Sequence, residues 1–498
     1  MSCFRCVVAI FVCITSGVIV PAINASPWTS TEDVRLRIAL QRVTDAGLID
    51  LPITSWPVAW ADIKYSLAHL SWDQVAPPQK NSVQTSLQYI RKQLARNYET
   101  GPGGSRSSVN YGLSAANTSS LFNAYGHAVE QGAVAETGLE WQNQIFSAGL
   151  MIQYATDPID EKNWRFDGSY VAATLGNWIF SVGANERWWG PGWQSSLILS
   201  NNARPVPAVS FNRAVSFAPE SSWLSWIGPW NFTSFMGQLE GDRAVPQAKL
   251  WSMRLSFKPF YSNLEIGLSR AAQWGGEGRS ESFSEFFKVL TSSGENTEDE
   301  AGNQLGGYDL RYAWATSHVL AAVYGQLIGE DEAGYLPSRK IMMGGMELSG
   351  ISIKHSYLNL FLEYSDTMSG RVAGNDRPNY AYEHHIYKSG YRYRSRAMGS
   401  SFDNDSRTIT LGGSLVNRDG ALWRIAISQL DLNTDNIAAG NKVSMQHQKL
   451  HHFMAGYQRL IMAAQLDVGL EWSSTIPDTT LAGSDRLGIY MSIDYRIE

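Results

Sequence analysis

Residues 251–258 read WSMRLSFK, a stretch in which apolar and polar side chains alternate at every position. The same period of two recurs at 308–314 (YDLRYAW), at 466–472 (LDVGLEW) and at 487–497 (LGIYMSIDYRI). Successive side chains of a β-strand point to opposite faces of the sheet, so each stretch predicts a strand with one apolar and one polar face.

The persistence of this pattern favours a transmembrane β-barrel, although the same alternation also fits a half-buried sheet in a soluble protein. It continues from Val109 to the end of the chain without a helical interruption of comparable strength. Charged residues such as Arg254, Arg311 and Asp467 fall on the polar face in mid-strand, as expected for a wet lumen. At roughly 22 residues for each strand and its loop, we predict a mainly β fold, a large antiparallel barrel of about 16–18 strands.

The composition fits a membrane barrel but does not require one. Charged residues make up 17% of the chain, below the roughly 25% usual for soluble domains. The 18 Trp and 22 Tyr suit a membrane interface, and they also suit a soluble carbohydrate-binding β-protein. The formal charge of −6 argues against nucleic acid as a partner, because nucleic-acid binding requires a basic surface.

Residues 1–25 have the features of a secretory signal peptide. Arg5 precedes an apolar run from 6 to 20, and the small residues Ala22 and Ala25 offer cleavage positions. The alternative is an uncleaved anchor helix, which the shortness of the apolar run disfavours. All three cysteines lie in this leader, at Cys3, Cys6 and Cys13. The exported chain is therefore predicted to have no disulfide, thiol nucleophile or cysteine-ligated metal.

Apolar residues of the next segment recur at helical spacing. The first stripe consists of Leu36, Ala39, Leu40 and Val43. Further helices are expected from about 59 to 70 and from about 78 onward, before a Gly/Pro-rich linker at 101–105. The predicted organisation is a signal peptide (1–25), a periplasmic helical bundle (26–100) and an outer-membrane β-barrel (101–498).

Polar segments between the strands are predicted to be extracellular loops, because outer-membrane barrels keep their periplasmic turns short. The main ones are 292–304, 330–338, 371–379, 400–407 and 433–442. The first of them contains four acidic residues and is interpreted as a solvated loop rather than a cation site.

The chain has no GxSxG, HExxH, Walker-type or dinucleotide-binding motif. His384 and His385 are adjacent, so on a strand they would face opposite ways and could not bind one metal ion together. His447, His451 and His452 lie where a loop and a strand are expected, whereas a ligand pair four positions apart needs a helix. Glu140, Glu363 and Glu471 are isolated carboxylates that could pair across a lumen as acid and base. Lumen carboxylates, however, usually pair with Arg or Lys. Because catalytic motifs and metal-ligand spacing are also missing from the sequence, we predict no enzyme activity, no metal and no other cofactor.

One region differs from ordinary barrel strand: residues 185–217 read NERWWGPGWQSSLILSNNARPVPAVSFNRAVSF. Aromatic rings stack on sugars and arginine donates paired hydrogen bonds to carboxylates, so we predict a site for an acidic polysaccharide in this region. The candidate residues are Arg187, Trp188, Trp189, Trp193 and Arg204. A second aromatic cluster follows at Trp223, Trp226 and Trp230. The alternative is an interfacial aromatic girdle with a lumen-folded loop held by Arg pairs.

Several stretches resemble the capsule assembly proteins of the Wzi family. They are NERWWGPGWQSSLILSNNARP at 185–205, WLSWIGPWNFTSFMGQLEGDRAVPQAKLW at 223–251, LEIGLSRAAQWGGEGR at 264–279 and YGQLIGEDEAGYLPSR at 324–339, with AGLIDLPITSWP at 46–57 in the helical part. These stretches are collinear and cover nearly the whole chain after the leader.

The resemblance implies an outer-membrane barrel of a Gram-negative bacterium with a small periplasmic helical bundle. It also implies a lectin-like role without enzyme activity, in which the protein attaches capsular or related exopolysaccharide to the cell surface. The expected partners are that polysaccharide, outer-membrane lipid and lipopolysaccharide, and the barrel assembly machinery. The chain departs from the usual pattern at its end, where 495–498 (YRIE) replaces the terminal aromatic residue that the insertion machinery reads.

Two other functions stay open at this point. A passive porin or polysaccharide export channel predicts an open lumen and ion conductance. A lumen-sited enzyme acting on polysaccharide or lipid predicts two or three converging titratable groups, and a fold by itself does not exclude it.

We predict that the protein fractionates with the outer membrane and migrates differently on a denaturing gel with and without boiling. A closed barrel satisfies its backbone hydrogen bonds internally and has no free strand edges, so it resists detergent until it is heated. Recovery in the soluble periplasmic fraction, with identical mobility of boiled and unboiled samples, would contradict the membrane barrel.

Overall fold

The computed structural model describes most of the chain from residue 26 to residue 497. The predicted signal peptide, most of the predicted acidic loop at 292–304 and parts of the predicted linker and of the loop at 371–379 lie outside the described residues. The described ranges are 26–98, 104–291, 302–316, 318–333, 336–370, 378–437, 441–476, 479 and 486–497.

Three helices precede the sheet and a fourth lies in a later loop. They are α1 (Val34–Asp45), α2 (Trp60–Leu67), α3 (Lys80–Asn97) and α4 (Phe283–Thr291). The side chain of Asp33 caps α1 by accepting a hydrogen bond from the Leu36 N–H. The predicted apolar stripe of α1 is buried, and α1 is bonded to α3 through Arg42, which donates to Ser86 Oγ at 3.1 Å. None of the helices in the described ranges is long and apolar enough to cross a membrane.

The strands close into one antiparallel barrel with eighteen strands in the described residues, which confirms the predicted fold class and strand number. In chain order they are β1 (Ser105–Ala116), β2 (Gly132–Asn143), β3 (Phe146–Ala155), β4 (Tyr170–Leu175), β5 (Trp178–Gly183), β6 (Ala208–Arg213), β7 (Trp230–Gln238), β8 (Lys249–Phe257), β9 (Leu264–Trp274), β10 (Gly302–Ala315), β11 (Leu320–Ala333), β12 (Leu336–Ile353), β13 (Ser356–Gly370), β14 (Arg407–Val416), β15 (Leu422–Leu432), β16 (Gln448–Ile461), β17 (Ala464–Ser473) and β18 (Leu487–Ile497). β1 pairs with β2 on one side and with β18 on the other, where Val109 lies opposite Ile497. This last pairing closes the sheet on itself.

Side chains alternate between the two faces of the barrel wall, as the sequence predicts. In β15, Trp423, Ile425 and Ile427 are exposed on the outer face, whereas Arg424 and Ser428 are buried on the inner face. The apolar outer face suits contact with lipid. The polar inner face must find its hydrogen-bond partners inside the barrel.

The two ends of the barrel differ in the length of their connections. At one end, turns such as 144–145, 354–355 and 462–463 join neighbouring strands directly. At the other end lie long loops, including 184–207 and 371–406. In outer-membrane barrels the short turns face the periplasm and the long loops face outward.

The N-terminal helical segment closes the short-turn end and reaches into the lumen. At the rim, Arg35 of α1 donates to the carbonyl oxygen of Gly420 at 3.0 Å. Deeper in the barrel, Asp45 at the end of α1 forms a two-bond ion pair with Arg311 of β10, with N···O distances of 2.6 and 2.7 Å. Both partners of this pair are buried.

The chain between α1 and α2 continues this contact with the wall. The Glu265 carboxylate of β9 accepts hydrogen bonds from the N–H groups of Ile53 and Thr54, both at 2.9 Å. Arg254 of β8 pairs with Asp309 of β10 and also donates to the Thr54 hydroxyl at 2.8 Å. Because unpaired buried charges are costly, these bonds tie the N-terminal segment to the inner wall.

Replacing Asp45 by Ala should loosen the helical segment without unfolding the barrel. The change removes both short bonds of the buried Arg311, and breaking a buried ion pair costs about 3–5 kcal/mol. Limited proteolysis of the purified protein should cut the segment 26–98 faster, while the unboiled sample keeps the gel mobility of the folded barrel. Asp73→Ala, at an exposed position of the same segment, is the control. Equal cleavage of the two variants would show that the ion pair does not hold the segment.

Candidate functional site

The candidate residues lie on the loop between β5 and β6 (184–207), which folds into the barrel. Trp188 and Trp189 pair as a short antiparallel strand with Trp56 and Ser55 of the N-terminal segment. The loop is therefore built on the same segment that closes the short-turn end.

Side chains of the wall hold the backbone of this loop. The Glu363 carboxylate of β13 accepts hydrogen bonds from the N–H groups of Trp193 and Gln194, at 2.5 and 2.9 Å. Gln326 of β11 accepts one from the Leu197 N–H at 2.8 Å. The sequence presents Glu363 as an isolated carboxylate, because its partner Trp193 lies 170 positions away along the chain.

The Gly-Pro-Gly turn of the loop is clamped by Arg37 of α1. The guanidinium donates to the carbonyl oxygens of Pro191 and Gly192, both at 2.7 Å, and lies 4.1 Å from the centre of the Trp193 ring. A Cβ atom at Gly192 would lie 2.3 Å from the carbonyl oxygen of Ser195, so a larger residue at this position would shift the backbone. The WWGPGW motif thus forms a tight, buried turn.

The three candidate tryptophans are packed against protein. Trp188 and Trp189 are almost fully buried, and Trp193 is 8% exposed. Tyr125 meets the rings of Trp188 and Trp193 edge-on, with centroids 5.5 and 5.9 Å apart, and Trp189 lies against Phe235. Protein occupies the faces and edges of these rings, so this packing gives no support to stacking on a sugar. Stacking of the tryptophans on a sugar stays a prediction.

Arg187 is buried without an acidic partner in the described part of the chain. Its Nη1 donates to the carbonyl oxygen of Asn185 at 3.0 Å, and its guanidinium lies 4.3 Å from the centre of the Phe235 ring. Burial lowers the pKa of Arg187 to about 10. Arg187 lines a cavity of about 20 Å³ together with Glu186, Arg204 and Asn201. The side-chain oxygen of Asn201 has no hydrogen-bond partner among the described residues. The cavity has room for water or one small polar group.

Arg204 is neutralised by two aspartates at the long-loop end of the barrel. It donates two hydrogen bonds to Asp167, at 2.6 and 2.9 Å, and one to Asp160 at 2.5 Å. Burial by itself would raise the pKa of Asp160, but the charge and hydrogen bond of Arg204, the charge of Arg165 and a backbone hydrogen bond from Lys162 together hold that pKa below its usual value. Arg394, at the turn of a small hairpin in the β13–β14 loop, lies 3.7 Å from Asp160. The sequence does not identify these partners, because they lie on loops that only the fold brings together.

The β13–β14 loop covers the β5–β6 loop from the outside. The Tyr382 hydroxyl donates to the carbonyl oxygen of Leu197 at 2.6 Å, and the Ser200 N–H donates to the carbonyl oxygen of Met398 at 2.8 Å. Cavities in this interior measure about 50, 20 and 20 Å³, which is space for water but not for a sugar ring. A groove of about 900 Å³ lies on the outer wall instead. In the described residues, the helical segment and these two loops therefore fill a large part of the lumen.

Two histidines and a carboxylate converge beside a serine in this interior. His127 Nε2 lies 2.5 Å from Glu471 Oε1 and 3.2 Å from Ser120 Oγ, and His452 faces the other carboxylate oxygen at 3.4 Å. In a nucleophile–base–acid relay the two partners contact different ring nitrogens of the histidine, whereas here both contact Nε2. Across the described ranges, no group of three His, Cys, Asp or Glu side chains is arranged to hold a metal ion.

The second aromatic cluster lies at the opposite end of the barrel from Arg204. Trp223 and Trp226 belong to the connection between β6 and β7, at the end where the short turns lie. Trp223 is 74% exposed, and Trp226 packs on Phe260 with ring centroids 6.0 Å apart. One glycan site on the outward face cannot include both aromatic clusters.

Comparison with known proteins agrees with this architecture. The family model described as capsule assembly protein Wzi matches residues 104–478. A Klebsiella pneumoniae protein, described as an uncharacterized 55.8 kDa protein in the cps region, is 33% identical over 327 residues, which are 63% of this chain. The chain spans 60% of the length of that relative.

A solved structure similar to this chain is that of Wzi, described as an outer-membrane protein involved in group 1 capsule assembly in Escherichia coli and as a carbohydrate-binding β-barrel. The two structures have a TM-score of 0.78 at 26% sequence identity. The similarity covers 96% of this chain and 99% of that one.

Trp188→Ala should destabilise the folded barrel by about 3–5 kcal/mol, because it leaves a large cavity in a packed interior. The temperature at which the unboiled gel band converts to the unfolded position measures this loss. Trp223→Ala, at an exposed tryptophan, should convert at the wild-type temperature. If Trp188→Ala also converts at the wild-type temperature, the ring does not serve the packing described above.

Proposed function

The chain belongs to the Wzi family of capsule assembly proteins, and we propose that it is a lectin-like protein that holds capsular or related polysaccharide on the cell surface. It is an outer-membrane β-barrel, and the family match extends from the first barrel strand almost to the last. The carbohydrate binding of the Escherichia coli relative supports the same property for this chain.

The packing of three segments inside the barrel is the observation that carries this proposal. The helical segment enters from the short-turn end, the β5–β6 loop packs on it, and the β13–β14 loop packs on that loop. A passive porin or a polysaccharide export channel needs a continuous wet path through the barrel. The packing favours attachment of polysaccharide to the outward face over its passage through the lumen.

We also propose that the protein has no enzyme activity. A lumen-sited enzyme predicts converging titratable groups, and the His127 cluster is such a group. Ser120 and Glu471 both contact the same ring nitrogen of His127, and His127 and Ser120 are both buried. Without a free base and an accessible nucleophile, the geometry of this cluster supports a structural role.

The recognition chemistry follows from the arginines of the candidate site. We propose that the surface around Arg204 and Arg394 meets the polysaccharide, and that Arg187 pairs with an acidic group that enters the cavity beside Arg204. Guanidinium binds a carboxylate, such as that of a uronate, through two parallel hydrogen bonds, which lysine reproduces poorly. Trp188, Trp189 and Trp193 would fix the loop that carries these arginines. Weak contacts repeated along a polymer would then hold it through avidity.

Further parts of the proposal concern organisation and the remaining partners. Residues 1–25 would be removed as a signal peptide, and the segment 26–100 would face the periplasm. Outer-membrane lipid and lipopolysaccharide would surround the apolar outer wall, and the barrel assembly machinery would recognise the last strand, which closes the barrel against β1.

Arg187→Gln and, separately, Arg204→Gln should release polysaccharide from cells into the medium. Glutamine keeps a hydrogen-bond donor but removes the charge. At Arg187, loss of a charge-assisted bond of about 1.5–3 kcal/mol weakens one contact by roughly 10- to 100-fold. At Arg204, whose donors are bonded to Asp160 and Asp167, the change leaves two negative charges uncompensated, and these repel an acidic polysaccharide. Polysaccharide is measured on the cells and in the medium of strains that express each variant in place of the wild type. Lys162→Gln, at a half-exposed lysine of the β3–β4 loop, is the matched control and should retain the coat.

Each variant must reach the outer membrane in normal amount and keep its unboiled gel mobility. If folded and abundant Arg187→Gln protein keeps a normal coat, the buried arginine is not part of the binding site. A deletion strain separates this result from failure of the whole proposal, because cells without the protein that still retain a normal coat would rule out the attachment role.

A further inference from the structure

Helix α4 lies on the outside of the barrel wall. Phe286 packs on Trp251 and Trp274 with ring centroids 5.7 and 5.2 Å apart, and Val289 is fully buried in the same cluster. Trp251 alternates along β8 with Arg254, which points into the lumen, so Trp251 faces outward. The helix therefore covers a patch of the apolar outer face, at the long-loop end of the barrel.

A second apolar stripe of α4 is exposed. Phe283 and Phe287 are 81% and 53% exposed, and Leu290 continues their line one turn further. At about 100° per residue, this stripe lies directly beside the stripe that contacts the barrel. The polar residues Ser284 and Lys288 lie on the opposite side of the helix. The apolar surface of α4 is thus wider than its contact with the barrel requires.

The end of α4 is tied to the wall by Arg270 of β9. Its two terminal nitrogens donate to the carbonyl oxygens of Leu290 and Val289, both at 2.8 Å. These carbonyls belong to the last turn, which a helix leaves without internal partners. Arg270 follows the inward-facing Ser269 and so points outward, where a charge near lipid is costly unless it is bonded. The contact gives hydrogen-bond partners both to the Arg270 guanidinium and to the carbonyl oxygens of the last helical turn. It also fixes the position of α4 on the wall.

We propose that α4 is an interfacial helix whose exposed stripe of Phe283, Phe287 and Leu290 inserts among the acyl chains of the outer leaflet. The stripe is continuous with the outer face of the barrel, which meets lipid, and the polar side of the helix turns away from it. A helix with one apolar and one charged side lies in the plane of a membrane interface in this way. The inserted stripe sets the depth of the barrel in the membrane. This inference does not depend on the polysaccharide-binding role.

The chain from residue 26 onward contains no cysteine, so single cysteines can report on each side of α4. Phe287→Cys, on the exposed apolar stripe, is compared with Ser284→Cys, on the polar side. Each protein is labelled with bimane and reconstituted in phosphatidylcholine vesicles with or without brominated acyl chains. Brominated chains should reduce the fluorescence at position 287 several-fold more than at 284, and aqueous iodide should show the reverse preference.

Phe283→Cys repeats the measurement on the same stripe, and unboiled gel mobility confirms that each labelled barrel is folded. Iodide quenching that is equal at positions 283, 284 and 287, with no effect of brominated chains, overturns the proposal and places the stripe in water. Protection of position 287 from both quenchers also overturns it, because protein rather than lipid then covers the stripe.

Discussion

Three charged side chains of the barrel wall, Arg254, Glu265 and Arg311, point into an interior where each is buried. An uncompensated charge in such a place costs several kcal/mol, so each needs a partner inside the barrel. The N-terminal segment supplies the carboxylate of Asp45 to Arg311 and backbone N–H groups to Glu265. Arg254 is paired with Asp309 of the wall and gains a further bond to the Thr54 hydroxyl. The wall and the segment therefore complete one another.

The rest of the interior is assembled on that segment. Arg37 of α1 clamps the Gly-Pro-Gly turn, and Trp56 pairs with Trp188. Glu363 of the wall then holds the next residues of the β5–β6 loop, and the β13–β14 loop rests on top of them. Because the N-terminal segment, the β5–β6 loop and the β13–β14 loop each use polar groups of the part beneath them, they occupy a large part of the interior. The outward loops are then the surface that is available to large ligands.

Buried arginines recur through this interior, but they differ in how their donors are used. Arg392 is paired with Asp403 and Glu383. Arg396 has no carboxylate partner within the described ranges and donates to three oxygen atoms of neighbouring residues. Arg187 makes one hydrogen bond, to a backbone carbonyl, in the described residues and faces a small polar cavity. Its unused donors are the physical basis for proposing that it meets an acidic group of the ligand.

The barrel, its approximate strand number and its helical beginning could be predicted from local sequence patterns, because alternation along a strand and spacing along a helix are local properties. The sequence also singled out residues 185–217 as unlike ordinary barrel strand. It could not determine how that stretch is used. Trp193 is buried because its N–H bonds to Glu363, 170 positions away, and Arg204 is neutralised by aspartates 37 and 44 positions away. Only closure of the barrel brings such groups together, so the burial of the tryptophans and Arg187, and the place of Arg204 at the long-loop end, follow from tertiary contacts that no local pattern shows.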